Sequence, residues 1–155
     1  MEIRKIISPD LIRMSVEVKT CTEALTYCSK VLQEHGYVKE SFTQGLLDRE
    51  SKYPTGIPIP HCGVAIPHCD PQHVNQPAIM VATLKEPVLF RSMEDPDQNV
   101  MIEFIFCLAV EHAEDQIKLL PKIIQAFVSE ENVKRARNCT TPDELFQFLE
   151  DSIAK

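Results

Sequence analysis

Histidine and cysteine side chains collect in one proline-rich stretch of this 155-residue chain, "PTGIPIPHCGVAIPHCDP" at residues 54–71. Both residue types bind zinc, and both act as nucleophiles in covalent catalysis. Pro-His-Cys occurs twice in the stretch and a further histidine follows, which together comprise His61 with Cys62, His68 with Cys69, and His73. The stretch therefore suggests either a metal site or a nucleophilic histidine.

The spacing of these residues disfavours the metal site. Zinc ligands usually come in close pairs, separated by two to four residues for cysteine and three to five for histidine. The two Pro-His-Cys copies are seven residues apart, and an odd offset along an extended segment directs their side chains to opposite faces. His68 and His73 have an acceptable spacing, but two ligands do not make a site. A zinc-binding module stays open as an alternative hypothesis.

Two histidines, His68 and His112, each follow a predicted strand. His68 comes after "GVAI" and Pro67, and His112 ends an apolar run just ahead of a predicted helix. Strand ends in α/β sheets are where ligands bind, and a helix N-terminus offers free N–H groups to an anion. A neutral imidazole is a nucleophile near pH 7, and a second one can donate a hydrogen bond to phosphoryl oxygens. This placement favours phosphoryl chemistry, with a surface or capping role for each histidine as the alternative.

The elements that must position these residues follow from apolar periodicity. Strand-like runs occur at residues 11–18, 63–66, 77–84 and 99–110. Amphipathic helices are predicted at 21–36, at 41–52, after His112 with a kink or late start at Pro121, and from an N-cap at Thr141. Interleaved strands and helices predict an α/β fold, a mixed sheet covered by helices on both faces, in one domain over residues 1–155.

Composition narrows the class of protein. The formal net charge of −7 argues against nucleic acid as a partner, and the basic residues Lys134, Arg135 and Arg137 are interpreted as a solvated helix end. The most apolar window, residues 100–110, contains Glu103 and is too short to cross a bilayer. The first residues have no continuous apolar core, so we see no signal peptide and expect a cytoplasmic protein. The six cysteines are then reduced thiols, metal ligands or core residues.

Three segments resemble a known family, the fructose, mannitol and galactitol class of phosphotransferase-system (PTS) enzyme IIA. "GVAIPHCD" resembles its active-site motif, "LLDRESKYPTGI" its Arg-Glu segment ahead of a Pro-Thr-Gly loop, and "FIFCLAVEHAEDQIKLL" its strand with the second histidine. The three matches occur in family order over most of the chain. Within the class, "YPTGIPI" followed by "AIPHC" is most similar to stand-alone galactitol-type IIA proteins.

The resemblance implies a phosphocarrier with assigned residues. His68 matches the histidine that accepts a phosphoryl group from phospho-HPr and passes it to a IIB component, which serves a IIC membrane permease. His112 matches the histidine that hydrogen-bonds the phosphoryl group, and Arg49 matches the arginine that holds the pocket or neutralises the phosphate. A phosphohistidine carrier of this kind needs no metal or nucleotide cofactor and no direct membrane insertion. A regulatory IIA homologue, whose phosphorylation state is sensed by a protein partner, would share the same residues.

The chain departs from the family pattern after the active histidine. Cys69 stands where many relatives have glycine or threonine, and we expect it to fill space, with an oxidisable switch as the alternative. Neither His61, Cys62 nor His73 has a family counterpart that we can assign. The sugar cannot be deduced, because a IIA protein of this class is expected to contact HPr and IIB and not the sugar.

Overall fold

The computed structural model describes residues 5–153. The strands are β1 (Ile12–Val16), β2 (Gly56–Ile59), β3 (Cys62–Ala65), β4 (Ala78–Arg91) and β5 (Asn99–Ala109). The helices are α1 (Cys21–Glu34), α2 (Ser41–Lys52), α3 (Ala113–Val128), α4 (Glu130–Asn138) and α5 (Pro142–Ile153), with short 3₁₀ turns at Pro9–Leu11 and Pro71–His73. None of the helices within residues 5–153 has the length and apolar character needed to cross a membrane.

The strands form one mixed sheet in the order β1-β4-β5-β3-β2. The pairs β1–β4 and β3–β5 are parallel, and β4–β5 and β2–β3 are antiparallel. Helices α1 and α2 pack on one face, and α3, α4 and α5 pack on the other. Strand β5 contributes alternate residues to the two cores, because successive side chains of a strand point to opposite faces. The predicted α/β fold, with a mixed sheet covered on both faces, is confirmed.

Strand β2 was not predicted from the sequence. The proline-rich stretch was expected to hold only one strand, yet residues 56–59 pair with 62–65 as a hairpin. Proline is tolerated in β2 because this strand lies at the edge of the sheet, where Pro58 is exposed and a missing N–H leaves no inner partner unsatisfied. The hairpin carries β3, and therefore His68, to the side of β5.

Two glycines let this hairpin approach the sheet closely. A Cβ atom at Gly63 would lie 2.0 Å from the carbonyl oxygen of Met101 on β5. A Cβ atom at Gly56 would lie 2.6 Å from the carbonyl oxygen of Arg91 on β4. A side chain at either position would collide with backbone, so these glycines are needed for the position of β3.

The helices differ from expectation in two places. Helix α3 begins at Ala113 and continues through Pro121, so the late start considered for Pro121 is not observed. Helix α4 was not predicted as a separate element; it begins after the N-cap Ser129, whose side chain accepts a hydrogen bond from the Asn132 N–H. The start of α5 is as expected, because Thr141 Oγ1 accepts from the Glu144 N–H at 3.2 Å.

Candidate functional site

His68 lies where β3 leaves the sheet. Strand β3 runs parallel to β5, and the register continues past the end of β3 to a bridge between His68 and Leu108. The Leu108 N–H donates to the carbonyl oxygen of Pro67 at 2.9 Å, which anchors the backbone just before the histidine. The carboxyl ends of β3 and β5 therefore lie at the same edge of the sheet, as a ligand site in an open α/β sheet requires.

The ring of His68 is held in one orientation by a backbone carbonyl two residues earlier in the chain. Its Nδ1 atom lies 2.9 Å from the carbonyl oxygen of Ile66. A carbonyl oxygen can only accept a hydrogen bond, so Nδ1 carries the proton and Nε2 keeps its lone pair. Nε2 is therefore the nucleophilic atom of this ring.

The surroundings of His68 favour the neutral ring. Burial lowers its pKa below the usual 6.5, and the positive charge of Arg49 lowers it further. The hydrogen bond to Ile66 and the negative charge of Asp70 act in the opposite direction without overcoming the effect of burial. A lowered pKa leaves His68 unprotonated near pH 7, so the Nε2 lone pair is available for attack.

His112 lies at the same edge of the sheet, at the N-cap of α3. It follows the end of β5 by three residues, and its carbonyl oxygen accepts a hydrogen bond from the Asp115 N–H at 3.0 Å. The ring is exposed and makes no capping hydrogen bond to the first turn of α3. The topology thus brings both predicted histidines to one edge, with the His112 ring available for a bound group.

Arg49 extends from α2 toward the same region. Its Nη1 atom lies 3.6 Å from Asp70 Oδ1, and its guanidinium lies over the ring of Tyr53, 5.0 Å from the centroid. Its Nε atom is buried and has no hydrogen-bond partner among residues 5–153. A guanidinium donor without a partner is suited to bind a further anion, since Arg presents several donors in a fixed fork.

A cavity of about 270 Å³ opens between α2 and the segment after His68. Arg49 and Lys52 line it from the helix, and Cys69, Asp70 and His73 line it from the other side.

Two residues that hold Arg49, Tyr53 and Asp70, were not predicted from the sequence. Tyr53 is the C-cap of α2, four residues after Arg49, and its N–H donates to the Arg49 carbonyl oxygen at 2.7 Å, so its position at the helix end was a local signal. Asp70 had no such signal, because its contact with Arg49 depends on the fold.

The other two histidines of the proline-rich stretch have partners of their own. His61 is exposed in the turn between β2 and β3, and its carbonyl oxygen accepts from Arg137 Nη2 at 2.7 Å. His73 pairs its Nδ1 with Ser41 Oγ at 2.8 Å. No group of three or more His, Cys, Asp or Glu side chains within the described part of the chain is arranged to hold a metal ion.

Cys69 is a buried thiol beside the site. Burial, with a smaller contribution from Asp70, raises its pKa to about 12, against a lowering effect of Arg49. The thiolate is the reactive form of cysteine, so a neutral thiol is chemically inert at physiological pH. This environment favours the expected packing role over an oxidisable switch. All six cysteines lie outside disulfide bonds.

Comparisons with known proteins agree with this geometry. The family described as "Phosphoenolpyruvate-dependent sugar phosphotransferase system, EIIA 2" matches residues 5–152. The galactitol-specific EIIA component of Escherichia coli K12 is 31% identical over 109 residues, which cover 70% of this chain and 72% of that protein. The transcriptional regulator ManR of Bacillus subtilis is 32% identical over 109 residues, 70% of this chain but 15% of the regulator.

A solved structure shares the fold. The crystal structure of IIA mannitol from Escherichia coli superimposes with a TM-score of 0.75 at 23% identity, over 92% of this chain and 97% of that one. EIIA components of this family carry a phosphohistidine in sugar phosphotransfer. From the extent of the family match and the identity to the galactitol-specific relative, the chain belongs to the EIIA 2 family and is a phosphotransferase component, an EIIA-type phosphocarrier of a sugar or polyol system.

Proposed function

We propose that His68 Nε2 accepts a phosphoryl group from phospho-HPr and passes it to a IIB component, in the cytoplasm. The observation that carries the proposal is the hydrogen bond from His68 Nδ1 to the Ile66 carbonyl oxygen at 2.9 Å. This bond leaves a lone pair on Nε2 of a ring whose lowered pKa keeps it neutral. Galactitol or a related polyol is the proposed sugar, supported by the similarity to the galactitol-specific component of Escherichia coli.

The transfer consists of one bond formed and one broken. The Nε2 lone pair of His68 attacks the phosphorus of the donor phosphohistidine, and the bond from phosphorus to the donor nitrogen breaks with its electron pair returning to that nitrogen. No proton moves at Nε2, and the proton on Nδ1 stays on the ring. The Ile66 carbonyl stabilises the positive charge that develops on the imidazole. Transfer to IIB repeats the step with His68 as the leaving group.

Charge stabilisation is assigned to Arg49 and His112. The unpartnered donor of Arg49 supplies a hydrogen bond and positive charge to the phosphoryl oxygens, since phosphoryl transfer depends on positioning and electrostatics. The exposed ring of His112, at the N-terminus of α3, donates a hydrogen bond to the same group. The first N–H groups of α3 add to this anion site.

A regulatory role is the second candidate. It is supported by the similarity of this chain to a segment of the transcriptional regulator ManR. A regulatory protein of this kind would carry the same phosphohistidine, and a transporter, kinase or transcription factor would sense its phosphorylation state. Neighbouring reading frames for IIB and IIC favour transport, and their absence favours regulation.

Labelling with phosphoenolpyruvate, enzyme I and HPr tests the proposal. We expect one acid-labile phosphoryl group per chain, absent from His68→Ala and retained in His61→Ala, which alters the histidine of the other Pro-His-Cys copy. His112→Ala should keep some labelling and slow transfer to IIB. Full labelling of His68→Ala would refute the assignment of the acceptor, and unchanged transfer by His112→Ala would refute the role of the second histidine.

A further inference from the structure

Glu50 is a buried carboxylate in the segment that leads to the phosphorylation site. It is 7% exposed, and it is the one buried Asp, Glu, Lys or Arg residue among those that the structure describes. Burial raises its pKa, while hydrogen bonds from Thr55 and the charge of Arg91 lower it. A buried carboxylate carries a large desolvation cost that an apolar residue of similar size avoids. Packing alone therefore does not explain a glutamate at this position.

Both oxygens of Glu50 are used by one residue. The backbone N–H of Thr55 donates to Glu50 Oε2 at 2.8 Å, and the Thr55 hydroxyl donates to Glu50 Oε1 at 2.7 Å. Thr55 is itself 1% exposed and immediately precedes β2. The carboxylate thus fixes the backbone and the side chain of the residue at which the hairpin begins.

Thr55 connects Glu50 to the acceptor histidine. The Ile66 N–H donates to the Thr55 carbonyl oxygen at 3.2 Å, and the Ile66 carbonyl oxygen accepts from His68 Nδ1 at 2.9 Å. A continuous set of hydrogen bonds therefore runs from Glu50 through Thr55 and Ile66 to the imidazole. The Ile66 carbonyl is the group that keeps the proton on Nδ1, so its position decides which ring nitrogen is nucleophilic.

The end of α2 that carries Glu50 is itself hydrogen-bonded to strand β4. Glu50 is adjacent to Arg49 on α2, and Arg91 on β4 donates through Nη2 to the carbonyl oxygens of Glu50 and Ser51 at the end of that helix. The same end of α2 therefore positions Arg49 on one side and, through Glu50, the His68 ring on the other. One turn of α2 therefore positions both Arg49 and His68, the two groups proposed to act on the same phosphoryl group.

We propose that Glu50, acting through Thr55, is a positioning residue that holds the Ile66 carbonyl against His68 and so keeps His68 in the tautomer with a nucleophilic Nε2. This inference rests on the proposed role of His68 as the phosphoryl acceptor. Glu50 does not touch the transferred group. Its contribution is the orientation of the ring, on which the rate of transfer depends steeply.

The test uses paired variants of the 155-residue chain. Thr55→Val removes the hydroxyl and leaves Glu50 Oε1 without its donor, whereas Thr55→Ser keeps the bond. Glu50→Leu removes both acceptors, whereas Glu50→Gln keeps an oxygen and the shape. Ser29→Ala is the matched control, because Ser29 is buried and bonds the Thr43 hydroxyl between α1 and α2, outside the set of bonds to His68.

Two readouts separate positioning from stability. The first is the tautomer of His68 in the unphosphorylated protein, from ¹⁵N chemical shifts of the ring, with a protonated Nδ1 expected in the wild type. The second is the rate of phosphorylation by phospho-HPr. We expect Thr55→Val and Glu50→Leu to gain the tautomer protonated on Nε2 and to lose about tenfold in kcat with unchanged KM. Thr55→Ser, Glu50→Gln and Ser29→Ala should retain the wild-type tautomer and rate.

The outcomes are distinguishable from those of the proposed function. A wild-type tautomer and rate in folded Thr55→Val overturns the positioning role, and so does an equal change in Ser29→Ala at equal loss of stability. If Glu50→Leu does not fold, the threonine pair alone decides. A failure of His68 to accept phosphate would appear as absent labelling of the wild type or as labelling retained in His68→Ala, and it would leave the tautomer measurement unaffected.

Discussion

Each copy of Pro-His-Cys lies beside an arginine, and the two arginines differ in how their donors are used. Arg137, beside His61, donates to both carboxylate oxygens of Glu103 at 2.8 and 2.6 Å and to the His61 carbonyl at 2.7 Å. Arg49, near His68, makes a longer contact of 3.6 Å to Asp70, and its Nε has no partner within residues 5–153. An arginine with satisfied donors holds structure together, whereas one with a free donor can receive a ligand.

The histidines differ in the same sense. The first copy is tied through its backbone, since Arg137 binds the carbonyl oxygen of His61 and leaves the ring in solvent. The second copy is tied through its ring, since His68 Nδ1 binds the carbonyl of Ile66. A ring with one nitrogen fixed has a defined nucleophile on the other side. Identical residue letters therefore produce a structural turn in one place and a candidate reaction centre in the other.

The largest expected effect is on the rate of phosphoryl transfer. Arg49→Ala should slow phosphorylation of His68 by about 100-fold, because a preorganised donor to the transferring group is lost. The rate for Arg49→Lys should lie between those of the wild type and Arg49→Ala, since lysine keeps the positive charge but lacks the planar fork of donors. Rapid-quench labelling with phospho-HPr measures the rate, and Arg137→Ala is the control with an expected rate near that of the wild type. A rate unchanged in Arg49→Ala, or equally reduced in Arg137→Ala, would remove the distinction between the arginines.

An intermediate effect is expected on the folding stability of the protein when Arg137, beside the first Pro-His-Cys copy, is changed. Arg137→Ala should lower the free energy of unfolding by about 1 kcal/mol, a factor of about five in the folding equilibrium, because the pair with Glu103 is bidentate but partly exposed to solvent. Urea denaturation followed by circular dichroism measures the change, and Glu103→Gln should reproduce much of it. A double variant that loses the sum of the two single effects would show that the contact contributes no coupling energy.

The smallest expected effect concerns pH. Burial lowers the folded-state pKa of His68 below 6.5, so the unfolded chain binds the proton more readily than the folded protein. The contribution of His68 to stability is then complete above about pH 6.5 and decreases as the pH falls toward the folded-state pKa. His68→Asn should flatten this part of the stability curve. An NMR titration, with His61→Asn used to assign the ring signals, would contradict the expectation if His68 titrated above 6.5.

The elements of the fold that were predicted correctly are those whose ends are set by interactions between neighbouring residues. Helix α2 has the predicted bounds, 41–52, because Pro54 stops a helix with an apolar stripe. Helix α5 begins after Thr141 because the N-cap hydrogen bond joins residues only three apart in sequence. Strand β2 could not be predicted, since the tolerance of Pro58 depends on an edge position that only sheet pairing defines. Helix α3 passes through Pro121 for a related reason, because tertiary packing compensates for a local penalty.

The candidate site was predictable in residue type and not in geometry. His68, His112 and Arg49 were identified from motifs and their order. Tyr53 was not identified although it lies only four residues after Arg49. Asp70, and Glu50 and Thr55, which lead to Ile66, were not identified because their contacts depend on how α2, the hairpin and the segment after His68 lie together. Hydrogen-bond partners between such segments leave no periodic signal.

By itself the sequence determined the class of fold, the family and the two histidines at strand ends, because periodicity, capping and short motifs act over a few residues. Only the tertiary structure decided how the two Pro-His-Cys copies are held, which nitrogen of the His68 ring is hydrogen-bonded and which arginine has a donor without a partner. The partners of Arg137 come from distant parts of the chain, and the partner of His68, although close in sequence, depends on how the backbone leaves β3. The parallel register of β3 and β5 and the contact of α2 with the hairpin supply those partners.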